Sequence, residues 1–289
     1  MTKQDDKALR AGLSIRGLPY DLLVDAGVSP ETLPRAELLQ TSGFVLFLER
    51  LMSEHGVRPR GVIHLGANTG QEALQYMMLG FEKVLFVEGH PGTFAELARN
   101  VEHFNLLDAE LSAYLRVGRR TRFQAVGAAV GDHNTEATFY VTGSSLFCST
   151  RKPIDFSEWF NYVEEREPPE AAAEFLQWGE QAVKLVEEVR VPMRTLDSML
   201  DEDLQDGWTA EDFNVLSMNI QGAEMDALRG ARRAIKQIEF IQLEKNYVEH
   251  YEGNPTPEEL DAFLGEEGFR EILAMRAGPV GTSAYARIN

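Results

Sequence analysis

Cysteine is almost missing from this chain: Cys148 stands alone among 289 residues, which excludes an intrachain disulfide and a cysteine-built zinc site. Long apolar runs are missing as well. Nothing approaches the roughly 18 uninterrupted apolar residues of a membrane span, and the opening MTKQDDKALR lacks the apolar stretch of a signal peptide. A soluble, cytoplasmic protein is the expectation. Basic residues are scarce, 28 against 46 acidic ones, for a formal charge of −18. A surface of that sign repels nucleic-acid phosphates and anionic lipid, so neither nucleic acid nor membrane is expected as a partner. Arg116, Arg119, Arg120 and Arg122 form a local exception, read either as a ligand contact or as a solvated turn before a strand.

The composition, 44% hydrophobic and 26% charged, can bury a large core. No repeat or low-complexity tract interrupts it. Residues 1–60 read as an N-terminal helical extension, with Phe44, Val45, Phe47, Leu48 and Leu51 marking a buried helical face. From Gly61 onward strand and helix alternate: GVIHLG, then TGQEALQYMMLG, then KVLFVE, then a helix opened by Pro91. Strands that are apolar on both faces and separated by helices predict a mostly parallel sheet covered on both sides. RFQAVGAAVG is expected to be central and EATFYVTG to lie at an edge. Residues 144–190, with Trp159, Phe160, Tyr162, Phe175 and Trp178 among many glutamates, predict a helical, lid-like insertion over a pocket. FNVLSMNI, GAEMDALRGARRAI and IEFIQLE resume the alternation, and FREILAMR with TSAYARIN predicts a closing hairpin turned at Ala277-Gly278-Pro279.

The chemistry is expected at the first strand-to-helix turn. Gly66-Ala67-Asn68-Thr69-Gly70 ends a strand and enters a helix, a geometry that lets a ligand approach the backbone closely. A dinucleotide fingerprint, G-x-G-x-x-G, would need glycine where Asn68 and Gln71 stand, which argues against a nicotinamide-dependent oxidoreductase. Glu88 ends the next strand, where a carboxylate can accept hydrogen bonds from both ribose hydroxyls of an adenosine. The pairing suits a nucleoside cofactor without a pyrophosphate. His90 reads either as a ring against the adenine or as the residue before a helix start, and His64 as a satisfied core histidine or as part of the same site.

These motifs resemble the FkbM-type methyltransferases from about Gly61 to the C-terminus. IHLGANTGQEA is similar to the family's first motif and VLFVEGHPGTFAELARNV to its second; Gly143-Ser144-Ser145-Leu146, VPMRTLDSML, NIQGAEMDALRGA and QLEKNYVEHYEGNPTPEELDAFLGEEGF follow in family order. The resemblance implies a class I Rossmann-like α/β fold over residues 61–289, with a mostly parallel seven-stranded sheet and a C-terminal antiparallel hairpin. It also implies methyl transfer from S-adenosylmethionine, with S-adenosylhomocysteine as product, usually to a hydroxyl of a sugar or natural product. The expected cofactor set is His64, Gly66, Ala67, Asn68, Gly70, Glu88, Gly89, His90, Gly127 and Ala128. A small-molecule or saccharide acceptor is the expected partner, and a homodimer is allowed for.

One departure bears on mechanism. Where the family commonly has Asp-Val-Glu-Gly, this chain reads Asn219-Ile220-Gln221-Gly222, so two carboxylates are replaced by amides. Asparagine cannot take the proton of a hydroxyl whose pKa is roughly that of water, about 15.7, and it is a poorer magnesium ligand than aspartate. Use of a divalent metal therefore stays open. Asn219 is read as orienting the acceptor or the cofactor amine, while Glu244 and His250 are the candidate bases. Ser144, Ser145, Gln221 and Asn246 are candidate acceptor contacts, and Glu224 is read as charge in the first turn of a helix. A cofactor-binding protein with lost or altered catalysis is the rival reading that the two amides suggest.

Overall fold

The computed structural model describes residues 52–115 and 120–288. The Phe44 to Leu51 series, most of the expected extension over residues 1–60, and Arg116 and Arg119 lie outside the described residues.

Strand β1 (Gly61–Leu65) is buried along its whole length, as is nearly all of β2 (Lys83–Glu88). Their side chains alternate between two cores. Val62, Val84 and Phe86 pack with Tyr76, Leu97 and Phe104 on one face, while Ile63, Leu65, Leu85 and Val87 pack with Leu196, Leu228 and Leu260 on the other. A strand covered on both faces has no polar side to show, so its sequence reads as an unbroken apolar run. Helices α1 (Ala73–Leu79) and α2 (Pro91–Leu115) follow these strands. Strands β3 (Arg122–Gly127), β7 (Val215–Met218), β8 (Phe240–Asn246), β9 (Phe269–Ala277) and β10 (Val280–Arg287) complete a seven-stranded sheet in the order β3-β2-β1-β7-β8-β10-β9. Pairing is parallel from β3 to β8, and β10 runs antiparallel to both of its neighbours. The closing hairpin turns at Gly278, with φ of 65°. Among the described residues no helix is long and apolar enough to cross a membrane.

One expectation about the strands is corrected and another is refined. RFQAVG is not central: β3 is an edge strand, with a half-exposed burial pattern, because the chain adds it outside β2 rather than between existing strands. EATFYVTG does lie at an edge, but of another sheet. As β5 (Thr135–Thr142) it pairs antiparallel with β6 (Leu185–Arg194), which pairs parallel with β4 (Ala129–Val130) in a separate three-stranded sheet. The stretch 144–190 is helical at α3 (Ser157–Arg166) and α4 (Pro169–Ala182), but its last residues belong to β6. There Val189 and Val191 alternate with Glu188 and Arg190, a period of two hidden by the surrounding charge. Helix α5 (Leu196–Glu202) follows β6. The predicted helix over GAEMDALRGARRAI is shorter: α6 (Glu224–Arg229) stops at Gly230, where an added Cβ would lie 2.0 Å from the Gly131 carbonyl oxygen. Helix α7 (Pro257–Glu266) precedes the hairpin and carries a Thr256–Glu259 capping box.

Candidate functional site

The carboxyl ends of β1, β2 and β7 open onto a cleft of about 680 Å³, a space that includes open solvent. Its floor is the turn after β1. Gly66 adopts φ of 77°, and a Cβ there would sit 2.0 Å from the Asn219 carbonyl oxygen, so only glycine lets this turn lie against the one after β7. Asn68 follows at φ of 48°, a conformation that asparagine tolerates better than most residues. The turn's backbone donors point inward. The Gly66 and Ala67 N–H groups donate to the Val87 carbonyl, Gly70 N–H to the Ala67 carbonyl, and Asn68 N–H to a Glu88 carboxylate oxygen. A pyrophosphate cradle would instead turn such groups toward the ligand.

Glu88 is 8% exposed. Its Oε2 accepts the Asn68 N–H at 2.9 Å and its Oε1 accepts the His90 N–H at 2.8 Å. Burial raises its pKa, and these backbone hydrogen bonds oppose the rise. Each oxygen keeps acceptor capacity, on a wall otherwise made of Val87, Gly89, Ala128, Ala129, Val130 and Phe139. A neutral, hydroxyl-bearing ring with an apolar face matches this surface.

Of the expected cofactor set, His64, Gly66, Asn68, Glu88, Gly89 and Ala128 line the cleft. Gly127 does not; it accommodates the Phe94 ring, 2.7 Å from where its Cβ would be. Ala67 and Gly70 are also outside the lining, and Gly70 lets the turn pack against Phe104 and Leu97. His90 caps α2, its Nδ1 accepting the Thr93 N–H at 3.3 Å, and its ring lies parallel to Phe139 with centroids 6.3 Å apart. His64 is both core and cleft. Its Nδ1 hydrogen-bonds Tyr76 Oη at 3.0 Å, and burial lowers its pKa, keeping the ring neutral at physiological pH.

At the other end of the cleft stand Asn219, Ile220 and Gln221. Gln221 is held at φ of 54°, a costly conformation for a non-glycine residue. Its side chain is a hub: Nε2 donates to Asn219 Oδ1 at 2.5 Å, Oε1 accepts from Tyr251 Oη at 2.9 Å, and the amide also contacts the Glu244 carboxyl. Ser149, a buried residue without a sequence signal, donates its hydroxyl to the Gln221 carbonyl at 2.8 Å and fixes the loop from below. Asn219 Oδ1 accepts one hydrogen bond there and keeps a second lone pair, while its Nδ2 is a donor, so the side chain can face either an acceptor oxygen or a cofactor amine.

The two candidate bases do not line the cleft. Glu244 is shielded by Gln221, and burial pushes its carboxyl up to about 7. His250 is 1% exposed, its ring stacked on Phe156 at 4.8 Å and its Nδ1 bonded to Asn246 Oδ1 at 2.9 Å. Burial holds it down at about 4. Its tertiary cover comes from the chain just before α3, which no local pattern around residue 250 reveals. Asn246 is buried as this partner, and Ser144 caps the short turn Ser145–Phe147 through its side chain, so neither reaches the cleft. Ser145 does, exchanging hydrogen bonds with the Asn68 amide. Glu224, read as a charge at a helix start, is 1% exposed and pushed by burial up to about 8, so it is mostly protonated near neutrality. Arg122 lies over the Trp208 ring at the opposite end of β3 from the cleft.

Gln71, Glu72, Phe139, Leu146, Cys148, Ser149, Thr150 and Ala223 complete the lining, and none of them is a site candidate from sequence. Residues 64–271 match the profile described as the Methyltransferase FkbM domain. Among solved structures, the chain is similar to Methyltransferase FkbM from Methylobacillus flagellatus KT, with 14% identity and a TM-score of 0.45 over 93% of this chain and 60% of that one. It is also similar to a putative RNA methyltransferase from Pyrococcus horikoshii, with 12% identity and a TM-score of 0.38 over 100% and 98% of the two chains. The magnesium protoporphyrin IX methyltransferase from Synechocystis with bound SAM is a third, with 8% identity and a TM-score of 0.39 over 85% and 78%. No curated protein matches the chain.

Proposed function

The chain belongs to the FkbM methyltransferase family, and from that premise we propose that it moves a methyl group from S-adenosylmethionine to a hydroxyl oxygen of a small molecule or saccharide. The observation that carries the cofactor reading is Glu88, a buried carboxylate whose two oxygens are oriented by the Asn68 and His90 N–H groups beside an apolar wall. When bound, the cofactor supplies an electrophilic methyl on its sulfonium. Glu88 would hold the ribose hydroxyls, and Ala128, Val130 and Phe139 would cover the apolar faces and exclude water.

At the acceptor end the residues position more than they react. Asn219 donates to the incoming oxygen and so fixes its direction. Gln221 holds Asn219, and Tyr251 with Ser149 holds Gln221. Glu244 hydrogen-bonds the Gln221 amide, and in this reading it fixes the position of Gln221. Leu146 and Phe139 line the cleft, and Phe147, beside Leu146, packs against Trp159 and Trp178. The apolar lining suits the apolar face of a sugar or natural product.

A screen with methyl-labelled cofactor over saccharides and natural products, read by mass spectrometry, tests the reaction. A labelled ether product supports it. Tight cofactor binding with no transfer to any hydroxyl acceptor would favour the altered-catalysis reading, and NADH binding without affinity for S-adenosylhomocysteine would overturn the cofactor assignment.

A further inference from the structure

The ionisable side chains lining the cleft are His64, Glu72, Glu88 and Cys148; no lysine or arginine is among them. Glu88 has its oxygens held by backbone N–H groups and faces the wall described above. Cys148 is a buried thiol whose pKa burial raises, so it carries no charge near neutrality. Glu72 differs from both. It precedes α1 but makes no capping hydrogen bond with its side chain, and its side chain keeps 34% of its surface exposed. The basic atom at its side is His64 Nδ1, 3.8 Å from Glu72 Oε2, on a ring that burial keeps neutral. Among the described residues it therefore has no cationic partner within ion-pair distance.

A cofactor with an amino-acid end brings an ammonium group that needs an acceptor, preferably an anionic one. The side-chain oxygens of Asn219, Gln221 and Asn68 are neutral, and each already accepts one hydrogen bond, from Gln221, Tyr251 and Ser145 respectively, whereas Glu72 is the anionic acceptor of the lining other than Glu88. We propose that Glu72 receives the ammonium group of the cofactor's amino-acid end, with the adenosine end held at Glu88. The assignment rests on the cofactor reading given above and adds to it the residue that distinguishes a whole cofactor from its nucleoside fragment. It also gives a cationic partner to a carboxylate whose neighbour, His64 Nδ1 at 3.8 Å, sits on a neutral ring.

Two ligands separate this proposal from the reading beneath it: S-adenosylhomocysteine, which carries the amino acid, and 5′-methylthioadenosine, which shares the adenosine and thioether but lacks it. Calorimetric titration of Glu72→Gln should show affinity for S-adenosylhomocysteine reduced about tenfold or more, the loss expected for a charge-assisted hydrogen bond. Affinity for methylthioadenosine should stay within about twofold of the unaltered protein, which also shows that the variant is folded. Glu72→Asp should recover part of the lost affinity. Equal effects on the two ligands, or none on either, would overturn the role of Glu72 while leaving the cofactor reading in place. Failure of both ligands to bind the unaltered protein would overturn the cofactor reading and this proposal with it.

Discussion

Acidification should weaken the fold through His250. In an unfolded chain this imidazole titrates near 6.5, whereas burial against Phe156 lowers it to about 4 in the fold. Between those values the unfolded chain binds the extra proton, so stability is lost as pH falls from about 6.5 and levels off below about 4. At about 1.4 kcal/mol per pH unit, the loss between pH 7 and pH 4.5 amounts to about 2 to 3 kcal/mol. Glu224 and Glu244 act in the opposite sense. Their folded pKa values, about 8 and about 7, lie above the unfolded carboxylate value, so the stability they contribute is present at low pH and is lost as pH rises through 7 and 8. The raw pH profile therefore mixes opposing slopes, and the difference from a His250→Gln variant isolates the imidazole. Urea unfolding at pH 7, 6, 5 and 4.5 should show the unaltered protein losing about 2 to 3 kcal/mol relative to the variant across that range. Parallel curves would refute the buried, neutral placement and reopen a role for His250 in proton transfer.

Other outcomes follow from the same geometry. Glu88→Ala should weaken S-adenosylhomocysteine binding by about 1.5 to 3 kcal/mol by calorimetry, the scale of hydrogen bonds to a charged group; unchanged affinity would remove Glu88 from the site. Gly66→Ala places a methyl 2.0 Å from the Asn219 carbonyl at a positive φ, so denaturation should show a loss of about 2 to 5 kcal/mol from overpacking and backbone strain together. Amides at 219 and 221 in place of carboxylates predict that chelator-treated protein keeps its transfer activity. Activity restored solely by added magnesium would contradict that.

The parts of this molecule legible in its sequence are those where function and fold are written locally. The turn from Gly66 to Gly70 and the strand ending at Glu88 are each contiguous in sequence, and the apolar runs of β1, β2, β7 and β8 report a doubly covered parallel sheet. The acceptor side is assembled from distant pieces. Nothing near His250 announces that Phe156 will cover it, and nothing near Ser149 announces that it will hold the loop at Gln221. The small sheet was missed for a related reason: β5 and β6 are joined through two helices, and the glutamates of β6 mask its alternation. Glu72 was passed over because a carboxylate before a short helix reads as ordinary surface until its neighbours are known.

The close approach at Gly66 has a mechanical consequence. With the turn after β1 resting on the backbone of the turn after β7, the Glu88 end and the Asn219 end of the cleft share one main-chain seat. On the proposed reading, changes at Leu146 or Phe139 would reshape the cleft wall for a different acceptor without moving that seat. Alignment would then be set by main chain and selectivity by side chains, the second free to vary.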